Sequence, residues 1–318
     1  MTGTRSGTKF LARLAVTAAL LAAVTWRLDL AGMAAKASRL APGWIAGAFV
    51  VVFAAVALSA WKWRLILAAR GRPLPYVRLV RHYFVGLFFN NVLPTTVGGD
   101  AVRAWETTRD TGEIPEAVGS VITERLVAGA ALGVTALLGV PFVDATPRLL
   151  LVVVTFLAVD VALVALFLAP RVAERVAASI LPARLQRARD TVAAVVRTVG
   201  ETIRMRRLVV RVFVLSVAFQ VLVAAVNACL FAAMGLPPSL ARCVVYTPMI
   251  FTITMLPVSV SGLGVREAAY AYFFGQAGVA RADAVTVSLL FFVVVGLASV
   301  PGAPLFALGR LRPDRAPE

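Results

Sequence analysis

No charged side chain interrupts the chain between Arg39 and Lys62, and the residues between them are mostly Ala, Val, Phe, Trp and Gly. A helix needs about 20 apolar residues to cross a bilayer. By that measure spans fall near 10–26, 43–61, 117–141, 149–169, 208–234 and 284–308. Only helices or closed barrels can satisfy their backbone groups in hydrocarbon, and runs of this length exclude barrel strands. Composition agrees: 60% of the 318 residues are hydrophobic and 15% charged, with a mean hydropathy of +0.87. A soluble chain of this size needs far more polar surface. The expectation is one all-α polytopic membrane domain over 1–318, with no attached soluble domain.

The formal net charge is +16. A pI near 11.4 raises nucleic acid as a partner, but the arginines cluster in short loops between apolar runs, which is a topology signal. Nucleic acid is therefore not the expected partner; membrane lipid is, with partner membrane proteins or enzymes and the oligomeric state left open. Cys229 and Cys243 lie in or beside apolar segments without metal spacing. Neither a metal nor another cofactor is expected. Arg5, Lys9 and Arg13 precede a short apolar run without a convincing cleavage site, which favours a retained first helix.

Two further apolar segments, 76–98 and 243–263, each end in Pro and Gly. Basic loops tend to share the cytoplasmic side. Residues 62–81 hold six Lys or Arg and no acid, and 170–211 hold ten Arg against three acids. If 76–98 crossed the bilayer, these loops would fall on opposite faces. A re-entrant 76–98 puts both inside, and a re-entrant 243–263 leaves both termini inside a cell (inner) membrane as well. The interval 170–207 alternates apolar and charged residues at helical spacing, which predicts amphipathic helices on the cytoplasmic membrane surface.

Shifted by 163 residues, the two Pro–Gly segments align without a gap. Tyr83 falls on Tyr246, Phe88 on Phe251, Leu93 on Leu256 and Pro94 on Pro257; Val97 meets Val260, Gly99 meets Gly262, Val102 meets Val265 and Arg103 meets Arg266. Eight identities over residues 83–103 exceed the about two that chance gives at one offset. Three spans separate the copies, so the repeat elements 76–110 and 243–275 enter from opposite faces. That is an inverted-topology repeat, the arrangement in which broken helices form midplane sites. The fold class expected is thus about six full transmembrane helices plus two re-entrant or broken segments. Pro94 and Pro257 lack a backbone N–H, and Gly98, Gly99, Gly262 and Gly264 permit tight turns. Amide groups at the following helix starts, with Arg103 or Arg266, form a candidate anion site.

Glu124 and Arg125 lie about two turns into the third span, where charge is costly and tends to face an interior. Neighbours point about 100° apart on a helix, so each is expected to find its own partner: Arg125 a phosphate or Asp100, Glu124 the Arg103 guanidinium. Arg266-Glu267 is a second charged pair. Asp160 stands alone mid-span and needs a partner if buried. Asn90, Asn91 and Asn227 are candidates for interhelical hydrogen bonds. His82, beside Arg81, reads as a surface residue. No zinc spacing, nucleophile elbow or phosphate loop is present.

"NNVLPTTVGGDAVRAW", "SVITERLVAG" and "LPVSVSGLGVREAAYAYFF" together resemble the transmembrane region of lysylphosphatidylglycerol synthetases and their stand-alone flippase-like relatives, over roughly residues 10 to 308. The resemblance implies handling or translocation of an anionic or lipid-linked substrate. Only a short tail follows Arg310, so it does not imply lysyltransferase activity, and an enzyme is the less expected reading. The positions it highlights are Pro94, Gly98, Gly99, Asp100 and Arg103; Glu124 and Arg125; and Pro257, Gly262, Gly264, Arg266 and Glu267. Arg103, Arg266 and Arg125 would contact a lipid phosphate, with Asp100, Glu124 and Glu267 as supporting carboxylates. The alternatives are a membrane-embedded transferase acting on a lipid carrier, and a non-transporting accessory subunit.

Overall fold

The structure, a computed structural model, describes residues 40–93, 98–144, 146–169, 171–172, 175, 185–236, 239–255 and 262–310. The predicted first span, 10–26, together with Pro94 and Pro257, lies outside them. Among the described residues the secondary structure is helical, with no strand. The helices are α1 (Pro42–Ala69), α2 (Tyr76–Val92), α3 (Gly98–Thr111), α4 (Ile114–Gly139), α5 (Pro147–Leu168), α6 (Gln186–Arg204), α7 (Arg206–Ala233), α8 (Leu240–Thr254), α9 (Val265–Gln276), α10 (Arg281–Ser299) and α11 (Gly302–Arg310).

Five segments are long and apolar enough to cross a membrane: Pro42–Ala69, Ile114–Phe142, Pro147–Leu168, Arg206–Ala233 and Arg281–Gly309. They coincide with the five predicted spans that fall in the described region. The protein is an all-α polytopic membrane protein. One boundary moves, and it matters below. Helix α1 runs on to Ala69, so Lys62 and Arg64 belong to the span and not to the basic loop that follows.

The chain divides into two compact units, with borders inside α1, α4, α5, α7 and α10. One gathers Leu132–Val154, Gln220–Ala298 and the described residues up to Phe53; the other gathers Ala54–Ala131, Thr155–Phe219 and the described residues from Ser299.

Each unit holds one of the Pro–Gly elements as a pair of packed helices, α2 with α3 and α8 with α9. The first pair is drawn together by glycine. A Cβ built on Gly99 would lie 1.9 Å from the Gly86 carbonyl oxygen, so the backbones touch where the side chain is absent. The Gly99 N–H donates to Asn90 Oδ1 at 2.9 Å. In the second pair, Gly262 (φ 73°) and Gly264 (φ 81°) adopt the left-handed backbone that leads into α9. The helices that follow the two Pro–Gly segments start at different positions of the repeat. Helix α3 begins at Gly98, whereas α9 begins at Val265, the position matching Val102. Ser261, where the first copy has Gly98, lies outside the described residues.

Helix α6 carries the predicted amphipathic pattern. Val195, Val199 and Ile203 pack with Leu126, Val118 and Ile122 of α4 and with Val164 and Phe167 of α5. Gly200 abuts the Phe167 carbonyl, 2.4 Å from where a Cβ would sit. Over Gln186–Arg204 these apolar residues thus pack against neighbouring helices. Arg70 ties the helix down, donating to both Glu116 oxygens at 2.7 and 3.0 Å and to Glu201 Oε2 at 2.8 Å. Most of the first amphipathic stretch, 171–180, lies outside the described residues.

Asp160 is buried in α5, with Oδ2 lacking a hydrogen-bond partner among the described residues. Its Oδ1 occupies the space a side chain at Gly129 would take, 2.5 Å from the position of a Cβ there. A buried carboxylate without a partner is costly. Asp160→Asn should therefore raise the thermal unfolding midpoint in detergent; a lowered midpoint would show that the carboxylate is compensated in the folded protein.

Candidate functional site

The charged residues singled out in the first Pro–Gly element converge in one cluster with side chains from α1, α2, α4 and α7. Helix α3 carries Asp100 in its first turn and Arg103 one turn later, which puts them on one face. Arg103 is 3% exposed. Its guanidinium lies against two aromatic rings, 4.5 Å from the Trp63 centroid and 4.4 Å from that of Tyr83. Cation–π contact of this kind, away from water, is worth about 2 kcal/mol. Arg103 Nη2 donates to Asp100 Oδ1 at 3.2 Å. Nη1 lies 2.9 Å from Glu124 Oε2, an ion pair too poorly aligned to satisfy that oxygen as a hydrogen bond. Among the described residues Arg103 Nε has no acceptor.

Glu124 and Arg125 point to different partners, as helical geometry requires. Glu124, 3% exposed, accepts from the Tyr83 hydroxyl and lies 3.7 Å from Lys62 Nζ. Arg125 is half exposed and grips Asp100 with both ends, Nε–Oδ2 at 2.6 Å and Nη2–Oδ1 at 2.9 Å. Three cations thus meet two carboxylates, leaving one positive charge in excess. Other ion pairs among the described residues involve none of these five.

The second element is arranged differently. Arg266, 8% exposed, donates from Nε and Nη2 to Glu267 Oε1 at 3.1 and 2.7 Å, and from Nε to Ser288 Oγ at 3.1 Å. The other Glu267 oxygen accepts the Gly264 N–H at 2.6 Å, closing the start of α9. This charge is balanced locally. Behind it Tyr270 donates to Asn227, which donates to Thr247; all three are fully buried.

The amide groups proposed from sequence as anion donors are engaged at two of these positions: Gly99 N–H by Asn90 and Gly264 N–H by Glu267. Gly98 opens α3 and Gly262 precedes α9, both as backbone positions.

Two residues escaped the sequence reading. Lys62 was counted with a basic loop, yet it is 2% exposed, with Nζ donating to Ser216 Oγ at 3.3 Å and lying 5.1 Å from the Phe219 ring centroid. The signal was available. Lysine is rare here, since only Lys9, Lys36 and Lys62 stand among 32 basic residues, and Lys62 follows the apolar run directly. His82 is not a surface residue but fully buried. It shares the face of α2 with Leu79, Val85 and Gly86, the spacing of a helix stripe. Its Nδ1 lies 3.3 Å from Thr107 Oγ1 and its Nε2 3.1 Å from Asp110 Oδ2.

Around Asp110, burial works against the carboxylate, but the His82 contact and the nearby Arg78 and Arg81 charges outweigh it and hold the group below its ordinary range. Glu106 goes the other way, because burial raises it more than His82 and Arg81 lower it. Among the described residues no group of His, Cys, Asp and Glu has the arrangement to hold a metal ion.

A sequence profile described as "Lysylphosphatidylglycerol synthase TM region" matches residues 10–302. No curated protein matches the chain.

Proposed function

The chain belongs to the lysylphosphatidylglycerol synthase TM region family, and from that premise we propose that it binds an anionic phospholipid or lipid-linked substrate and carries it across a cell membrane. The observation that supports this reading is Arg103. A guanidinium that is 3% exposed, packed against both Trp63 and Tyr83 and left, among the described residues, without an acceptor for Nε, is suited to a phosphate oxygen. In a site of low dielectric that contact is strong enough to trap its ligand. Asp100 and Glu124 supply the competing acceptors: each can take the arginine back and release the phosphate. Arg125, half exposed, is placed to meet the headgroup before Arg103 does. Arg266 belongs to the proposal as a buried arginine already neutralised by Glu267, steadying the second element.

Native mass spectrometry of the purified protein tests the binding step. Wild-type protein should retain anionic lipid, and Arg103→Lys should lose most of it, because a point charge cannot reproduce a stacked, forked donor. Equal retention by a folded Arg103→Lys variant would remove Arg103 from the site.

A further inference from the structure

Lys62 has too few partners for a buried ammonium. It carries three N–H donors. Among the described residues its hydrogen-bond acceptor is Ser216 Oγ at 3.3 Å, and Glu124 Oε1, which also accepts from the Tyr83 hydroxyl, lies at 3.7 Å, beyond hydrogen-bond reach. Among the described residues the groups of its cluster come from four helices: Tyr83 from α2, Arg103 with Asp100 from α3, Glu124 and Arg125 from α4, and Ser216 and Phe219 from α7. Two of these are further cations and two are carboxylates, so the uncompensated charge of the cluster is one.

The chemistry of the three cations differs. Arginine does not release its proton in a protein, whereas a desolvated lysine does so readily. If Lys62 is neutral, the cluster is balanced and offers an arriving anion no net attraction. If Lys62 is charged, the cluster carries one positive charge, Arg103 Nε lacks an acceptor among the described residues, and the ammonium, with three N–H groups, has Ser216 Oγ for one of them. A bound anion supplies the missing partner to both.

We propose that Lys62 is part of the anion site and that the anion and a proton on Lys62 are taken up together. This rests on the lipid-binding reading above and adds its regulation. By linkage the effect is reciprocal: protonating Lys62 favours the anion, and the anion favours protonation. The sign follows directly. The anion-bound state holds one more proton, so affinity is greatest at low pH and falls as pH rises, by up to about tenfold per pH unit across the range in which Lys62 titrates. A pH difference across the membrane would then bias loading and release.

The test is binding of phosphatidylglycerol to the full chain in phosphatidylcholine nanodiscs, measured as a function of pH, with proton uptake followed by an indicator dye in weak buffer. The phosphodiester keeps one charge throughout, so any pH dependence belongs to the protein. Wild-type affinity should fall with pH, with uptake of about one proton per lipid bound. Lys62→Arg, a fixed cation, should bind with a flat pH profile and no proton uptake. Lys62→Met should bind more weakly and also without pH dependence, which keeps the test open if the larger arginine does not fit. A flat wild-type profile, or a Lys62→Arg profile as steep as wild type, overturns the proposal and leaves lipid binding standing. Absence of phosphatidylglycerol binding at every pH would instead overturn the lipid-binding reading itself.

Discussion

Glu124→Ala should cost the protein a large share of its stability. Glu124 is 3% exposed and is the carboxylate within reach of both Lys62 and Arg103, besides accepting from Tyr83. Removing it leaves Lys62 without a counter-charge and Arg103 sharing Asp100 with Arg125. Breaking a buried pair by deleting one partner costs about 3–5 kcal/mol, against a net stability of about 5–15 kcal/mol for a typical domain. The expected result is a sharp drop in folded yield and in the thermal midpoint in detergent. Pairing Glu124→Gln with Lys62→Met removes one anion and one cation together, and should recover much of what Glu124→Gln alone loses. A Glu124→Ala protein with the wild-type midpoint would mean that the cluster is not held as described.

Gly99→Val should break the first helix pair apart. The added Cβ would meet the Gly86 carbonyl oxygen at 1.9 Å and Asn90 side-chain atoms at 2.6 and 2.7 Å. A main-chain oxygen cannot swing aside, so α2 and α3 must separate, at a cost of about 3 kcal/mol or more. Separation also moves Asp100 and Arg103 away from Tyr83. Gly86→Ala should be milder, since its nearest atom, the Gly99 carbonyl oxygen, lies at 3.1 Å. Gly43→Ala, with nothing within 4 Å, should be nearly silent. Thermal midpoints in the order Gly43→Ala, Gly86→Ala, Gly99→Val, from highest to lowest, check this. A wild-type midpoint for Gly99→Val would contradict the close packing of α2 on α3.

The helical architecture was legible because hydropathy reads run length, and five of the expected spans are long enough to need no tertiary information. The charged cluster was legible in part. Asp100, Arg103, Glu124 and Arg125 declare themselves by standing in or beside apolar company, and the 100° step between neighbours already sends Glu124 and Arg125 to different partners. Lys62 did not, because at the end of an apolar run a lysine that snorkels to the interface looks the same as one that turns inward. Its partner Glu124 is 62 positions away, and only the packing of α1 on α4 brings them together.

His82 failed for a related reason. Its neighbour Arg81 suggested a basic face, but adjacent residues on a helix face different ways, and the stripe of Leu79, His82 and Val85 was the better guide. The helix-start amides illustrate a third limit. That Asn90 and Glu267 engage Gly99 N–H and Gly264 N–H depends on side-chain reach, which the Pro–Gly pattern does not encode.

The most direct test of lipid translocation is a leaflet-sidedness assay on the protein reconstituted into liposomes. Fluorescent phosphatidylglycerol is placed in both leaflets and a membrane-impermeant quencher is added outside. With wild-type protein nearly all the fluorescence should be lost, because inner-leaflet lipid reaches the quencher. With Arg103→Lys of matched thermal midpoint, the loss should stop near the half expected of protein-free liposomes. Quenching by wild-type protein no greater than in protein-free liposomes, or by Arg103→Lys equal to wild type, would contradict the account.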